Sequence, residues 1–204
     1  MTKAVWKKLV VGLALAMVIG GGFLWTRSLD AYINTFPPGD IVFNPCKGFK
    51  NHPAKLSNGL DLDISTYGSI TVGTGSQFKT SDGRNGLTLR VIDVSSSGEV
   101  EGLGSVTVGF DKEARVAAST LVANQTSSDY PATQTMRFRP VITVNGNALR
   151  ALDNANLVNS AVTSTPPAPG TVYVLTNAIR LEDPKEPGKV AMVIEPGEAF
   201  RVDK

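Results

Sequence analysis

Residues that usually announce chemistry are scarce in this chain. Its 204 residues include one cysteine, Cys46, one histidine, His52, 7% aromatics and 19% charged residues. One cysteine excludes an internal disulfide framework. Cys46 and His52, spaced Cys-x5-His, fall short of the three or four protein ligands that zinc sites use, and they supply no third group to orient a thiol–imidazole pair. Gly73-Thr74-Gly75 lacks the third glycine of a dinucleotide fingerprint, and neither a Gly-x4-Gly-Lys nor a Gly-x-Ser-x-Gly sequence occurs. No catalytic residue, metal or cofactor is therefore expected, and the chain reads as a non-enzyme. The 20 glycines and 12 prolines follow no triplet period, and 42% hydrophobic residues exclude a disordered chain.

Charge of one sign is also missing. The formal net charge is +2, but Lys3, Lys7 and Lys8 all precede the first apolar run, ahead of any acidic residue. Removing those three from the 20 basic residues leaves 17 against 18 acidic ones, a body of net −1. So balanced a body has no field to concentrate phosphates, and nucleic acid is not expected as a partner.

What is present begins at the N-terminus. Leu9 to Trp25 is seventeen residues without a charge, flanked by Trp6 and Trp25. As a helix it spans about 25 Å, slightly less than a hydrocarbon core. Tryptophans at its ends and lysines before it predict a transmembrane anchor with the N-terminus inside and the body periplasmic or extracellular. A cleaved signal peptide is the competing reading, with Gly20 and Gly22 as a poor processing site. The predicted organisation is a basic cytoplasmic segment over 1–8, a transmembrane anchor over 9–25, a juxtamembrane amphipathic helix over 26–36, a loop-rich linker over 37–59 and an extracytoplasmic β domain over 60–204. Within the juxtamembrane segment Leu29, Tyr32, Ile33 and Phe36 share one helical face, a candidate partner contact unless that face packs on its own domain or lies at the membrane surface.

From Leu60 the pattern becomes short apolar runs bounded by Gly, Ser, Asn and Asp, which predicts a mainly β fold: a single β-sandwich or barrel-like domain following one transmembrane helix. Eight strands are expected, over 60–66, 69–73, 87–94, 100–110, 115–122, 135–144, 171–181 and 189–202. Ser95 to Gly98 reads as a hairpin loop, Asn145-Gly146 as a type I′ turn, 182–188 as the last hairpin loop and 162–170 as a long surface loop. Ala148 to Leu152 reads as one or two helical turns.

Four clusters in the body have candidate chemistry. Asp61 and Asp63 share a strand face, the geometry of a carboxylate pair or of an exposed polar face. Glu99 and Glu101 do the same, with Arg90 as a diagonal ion-pair partner if the serine run is a turn. Arg137 and Arg139 flank Phe138 and are candidates for contacting an anionic sugar or lipid headgroup, or else guard a sheet edge that Pro140 marks. Tyr67, Tyr130 and Tyr173 are candidates for stacking on sugar rings. The leading expectation is a membrane-anchored structural or accessory subunit of an envelope assembly, its partners being the lipid bilayer and other membrane proteins. A glycan-binding module is the alternative, and a carboxylate-dependent hydrolase comes third.

Overall fold

A computed structural model of the chain describes Phe36 and residues 41–203, with the side chains of 41–51 left out of account. The predicted anchor over 9–25 and the contacts Leu29, Tyr32 and Ile33 lie outside these residues. Among the described residues no helix is long and apolar enough to cross a membrane.

Thirteen strands are found among them: β1 (Ile41–Leu56), β2 (Asp61–Lys79), β3 (Asn85–Val100), β4 (Gly104–Phe110), β5 (Ser119–Ala123), β6 (Ala132–Phe138), β7 (Pro140–Val144), β8 (Asn147–Ala151), β9 (Ala155–Val162), β10 (Val172–Leu175), β11 (Ile179–Glu182), β12 (Val190–Ile194) and β13 (Gly197–Val202). The expected mainly β fold is present, and the sheet is a closed antiparallel barrel, not a sandwich. Eight strands, in the order β3-β2-β1-β13-β10-β9-β6-β5, close where β5 returns to β3. The remaining strands complete a second circuit, β3-β2-β1-β12-β11-β8-β7-β4, closed by β12 on β1. The two circuits share the long strands β1, β2 and β3, so every strand has a neighbour on both sides and no long edge is left open.

The sharing works because the long strands fork. β3 pairs with β5 over Gly86–Leu89 and with β4 over Ser96–Val100, and between Leu89 and Ser96 neither strand pairs with it. A bulge at Ile92 falls inside this gap: Thr71 opposes Asp93 while Val72 opposes Val91. Bulges bend a strand and increase its twist, which redirects β3 from one circuit into the other. β1 forks likewise, pairing with β13 over Cys46–Gly48 and with β12 over Ala54–Leu56.

Inward side chains alternate along the shorter strands, as in β6, where Ala132, Gln134, Met136 and Phe138 are buried and the residues between them half-buried. The buried apolar residues of both circuits form one contiguous cluster, from Leu121, Leu157 and Tyr173 to Ile142, Leu181 and Ile194. Phe36 belongs to it, 2% exposed and edge-on to the Tyr130 ring at 5.6 Å. Its ring is therefore turned to this chain's own core.

Four expectations need correction. The segment 37–59 is not a linker, because β1 occupies most of it; Pro45 falls inside a register shift between Phe43 and Cys46, where a missing N–H costs no ladder bond. Ser95 to Gly98 is not a turn but the interior of β3, paired on both sides, and the chain reverses instead at 101–103. Small residues are required there because the backbones nearly touch: a Cβ on Gly68 would lie 1.9 Å from the Ser95 carbonyl oxygen, and one on Gly98 2.1 Å from that of Ser65. Ala148–Leu152 is not helical; Asn145 and Gly146, at φ 47° and 80°, form the predicted I′ turn and send the chain directly back as β8. Finally, Pro140 marks no edge, since β6 lies between β5 and β9, and β7 between β4 and β8.

Candidate functional site: a basic cleft at the fork of β3

The fork of β3 opens a surface cleft of about 190 Å³. Three chain segments meet there: β3 at Leu89–Val91, the 111–118 connection between β4 and β5, and the β6–β7 junction at Arg137–Arg139. Each carries the chain between the two circuits, or lies where they part. Arg90, Lys112, Arg137 and Arg139 line the cleft with a single carboxylate, Asp111. None of these four cations takes part in the ion pairs formed among the described residues. The structure thus brings the two predicted arginines together and adds two cations from distant parts of the chain.

Local bonds hold the arginines in place. The Ser119 hydroxyl accepts from the Arg137 backbone N–H at 2.8 Å, continuing the β5–β6 ladder by one residue. Arg137 Nη1 donates to the Ala118 carbonyl at 2.5 Å. Arg139 Nε donates to Asn154 Oδ1 at 3.1 Å, and its carbonyl accepts from the Asp111 N–H at 2.8 Å. Lys112 Nζ lies 5.9 Å from the centroid of the Phe110 ring, within cation–π range. Behind Arg139, Asp153 chelates Arg180 through two bonds of 2.8 Å, and those bonds hold its carboxyl below the usual range, with a smaller contribution from Arg139. Asp111 Oδ1 caps the Glu113 N–H at 2.9 Å, so it serves its own loop. Phe110, Val116 and Ala114 are among its apolar lining residues. Four cations against one carboxylate repel one another, and an anion seated among them relieves that repulsion.

The other predicted residues are dispersed. Arg90 has no diagonal pairing to Glu101, which lies in the turn after β3; Glu99 is exposed opposite Ser105. Asp61 and Asp63 are exposed on one face of β2 and share a shallow cleft of about 250 Å³ with Glu195, and Lys55 lies 3.9 Å from Asp61. No group of three or more metal-ligating residues occurs among the described residues. The tyrosines form no platform. Tyr67 is exposed, Tyr130 packs on Phe36, and Tyr173 is buried with its hydroxyl donating to Gln134 Oε1 at 2.7 Å. His52 is fully buried at the fork of β1, with Nδ1 2.9 Å from the Glu198 carbonyl and Nε2 2.5 Å from that of Glu195. It joins the end of β12 to the start of β13, so the imidazole serves the fold at the second fork.

No family model matches the chain, and no curated protein matches it. Its fold is similar to that of DynF from the dynemicin biosynthesis pathway of Micromonospora chersina. The two superpose with a TM-score of 0.64 at 16% sequence identity, over 82% of this chain and 81% of that one. This likeness corrects the expectation of a non-enzyme. The barrel is one that a biosynthesis-pathway protein uses, so the lack of a recognisable catalytic motif is no ground for excluding catalysis.

Proposed function

We propose that the chain is a membrane-tethered extracytoplasmic β-barrel protein that binds a small anionic ligand in the basic cleft. The observation that carries this reading is the gathering of Arg90, Lys112, Arg137 and Arg139 around one carboxylate, in a body whose overall charge is close to zero. A net basic cleft on a neutral body concentrates an anion locally without making the whole surface adhesive. That the same fold occurs in a biosynthesis-pathway protein agrees with a small-molecule ligand. The tether rests on the charge-free run over 9–25 and the lysines before it.

Thermal melts of the full chain in mild detergent test the ligand. Acidic sugars and phosphate esters at millimolar concentration raise the melting temperature, whereas neutral sugars of the same size do not. Equal responses to charged and neutral sugars would remove the reading. Protease added outside intact cells or spheroplasts tests the tether: the body is digested while the first residues stay protected.

A further inference from the structure

We infer that the anion is a phosphate monoester in its dianionic form, an assignment that rests on the anion-binding reading of the cleft. Among the described residues both arginines of the β6–β7 junction keep unused donors. Arg137 spends Nη1 on the Ala118 carbonyl, leaving Nε and Nη2, the side-on edge of its guanidinium. Arg139 spends Nε on Asn154, leaving both Nη groups, the end-on edge. Each remaining edge is a two-pronged donor suited to two oxygens of one anion. A carboxylate has two oxygens and one charge, enough for a single fork. A phosphate monoester presents three terminal oxygens and nearly two charges at neutral pH, so it can be shared between two forks. Arg90 and Lys112 add two further cations, and the one lining carboxylate, Asp111, is held by its own loop.

Size and lining limit the rest of the ligand. At about 190 Å³ the cleft is smaller than the pockets that enclose drug-sized molecules, about 300–1,000 Å³, so it holds one ring or a headgroup. Phe110, Val116 and Ala114 give that group an apolar wall. The phosphate monoester can come from a free sugar phosphate or from a lipid headgroup, and one experiment separates these sources.

Calorimetric titrations are run on the full chain in phosphatidylcholine nanodiscs at low salt, with glucose 1-phosphate, glucuronate and glucose. The inference predicts that glucose 1-phosphate binds about tenfold or more tightly than glucuronate, and that glucose does not bind. The Arg90 side chain makes no hydrogen bond or ion pair among the described residues, and Arg90→Gln lowers the glucose 1-phosphate affinity about fivefold or more without moving the melting temperature. Nanodiscs doped with phosphatidate assign the source: competition with glucose 1-phosphate beyond that of phosphatidylglycerol, a diester of comparable bilayer charge, identifies a lipid monoester, and its absence a free one. Equal affinity for glucose 1-phosphate and glucuronate overturns the phosphate assignment and leaves the anion reading intact. Binding of neither overturns both.

Discussion

Replacing His52 by alanine removes the donor that bridges the fork of β1. The imidazole is fully buried, and its nitrogens face two backbone carbonyls, those of Glu195 and Glu198. Orphaning a buried carbonyl costs about 1–3 kcal/mol. A neutral imidazole carries one N–H, so the substitution orphans one of the two carbonyls, and because Glu195 is half-buried and Glu198 exposed the lower bound applies, about 1 kcal/mol. The space left by the ring adds about 1–2 kcal/mol at roughly 24 cal/mol per Å³ of residual cavity. The expected loss is about 2–3 kcal/mol, which for a domain of this size lowers the melting temperature by about 5–10 °C. Circular dichroism melts and urea titrations of the full chain read both quantities. His52→Gln, which keeps a donor, recovers part of the loss. A decrease below about 1 kcal/mol in the alanine variant would refute the claim that the imidazole holds the fork together.

Other outcomes follow from the same geometry. Gly68→Ala places a methyl group 1.9 Å from the Ser95 carbonyl oxygen, a backbone atom that cannot rotate away, and costs about 3 kcal/mol or more in a urea titration. Asp153→Asn removes a carboxylate held below its usual range by Arg180. Because a depressed carboxyl stabilises above its unfolded pKa and loses that contribution as pH falls through its folded one, the variant melts lower at pH 7, and its melting temperature declines less below about pH 4. Affinity of the cleft for its anion falls severalfold between about 50 and 500 mM salt, because Arg90 and Lys112 are exposed, Arg137 and Arg139 half-exposed, and all four are screened; an affinity insensitive to salt would place binding elsewhere.

The residues explain which parts of this architecture could be read in advance. Alternation about Phe138 was enough to put Arg137 and Arg139 on one face, and Asn145-Gly146 was enough to set a hairpin, because both are local effects of a few consecutive residues. Arg90 and Lys112 reach the same cleft through pairings between distant strands, and their local patterns, an arginine between Leu89 and Val91 and a lysine in a charged loop, are those of any solvated face. The serine run was misread for a related reason. Ser-Ser-Ser-Gly resembles a loop in composition, while here its small side chains permit the close approach of β2 and β3 at Gly68 and Gly98. Only a short strand at Ile41–Phe43 is legible in the sequence, and the rest of β1 is not, because Pro45 and Pro53 signal loop, while a bulged strand that forks between two circuits can hold both. His52 gave no sign of its place, since its two acceptors lie 143 and 146 residues away.

If the fork of β3 is an anion site, calorimetric titration of glucose 1-phosphate into the full chain and into the Arg137→Ala/Arg139→Ala double variant, at the same salt, separates the two proteins. Losing two charge-assisted forks predicts an affinity lower by about a hundredfold or more, in a variant that still melts cooperatively. Equal affinity for the two proteins would contradict the account.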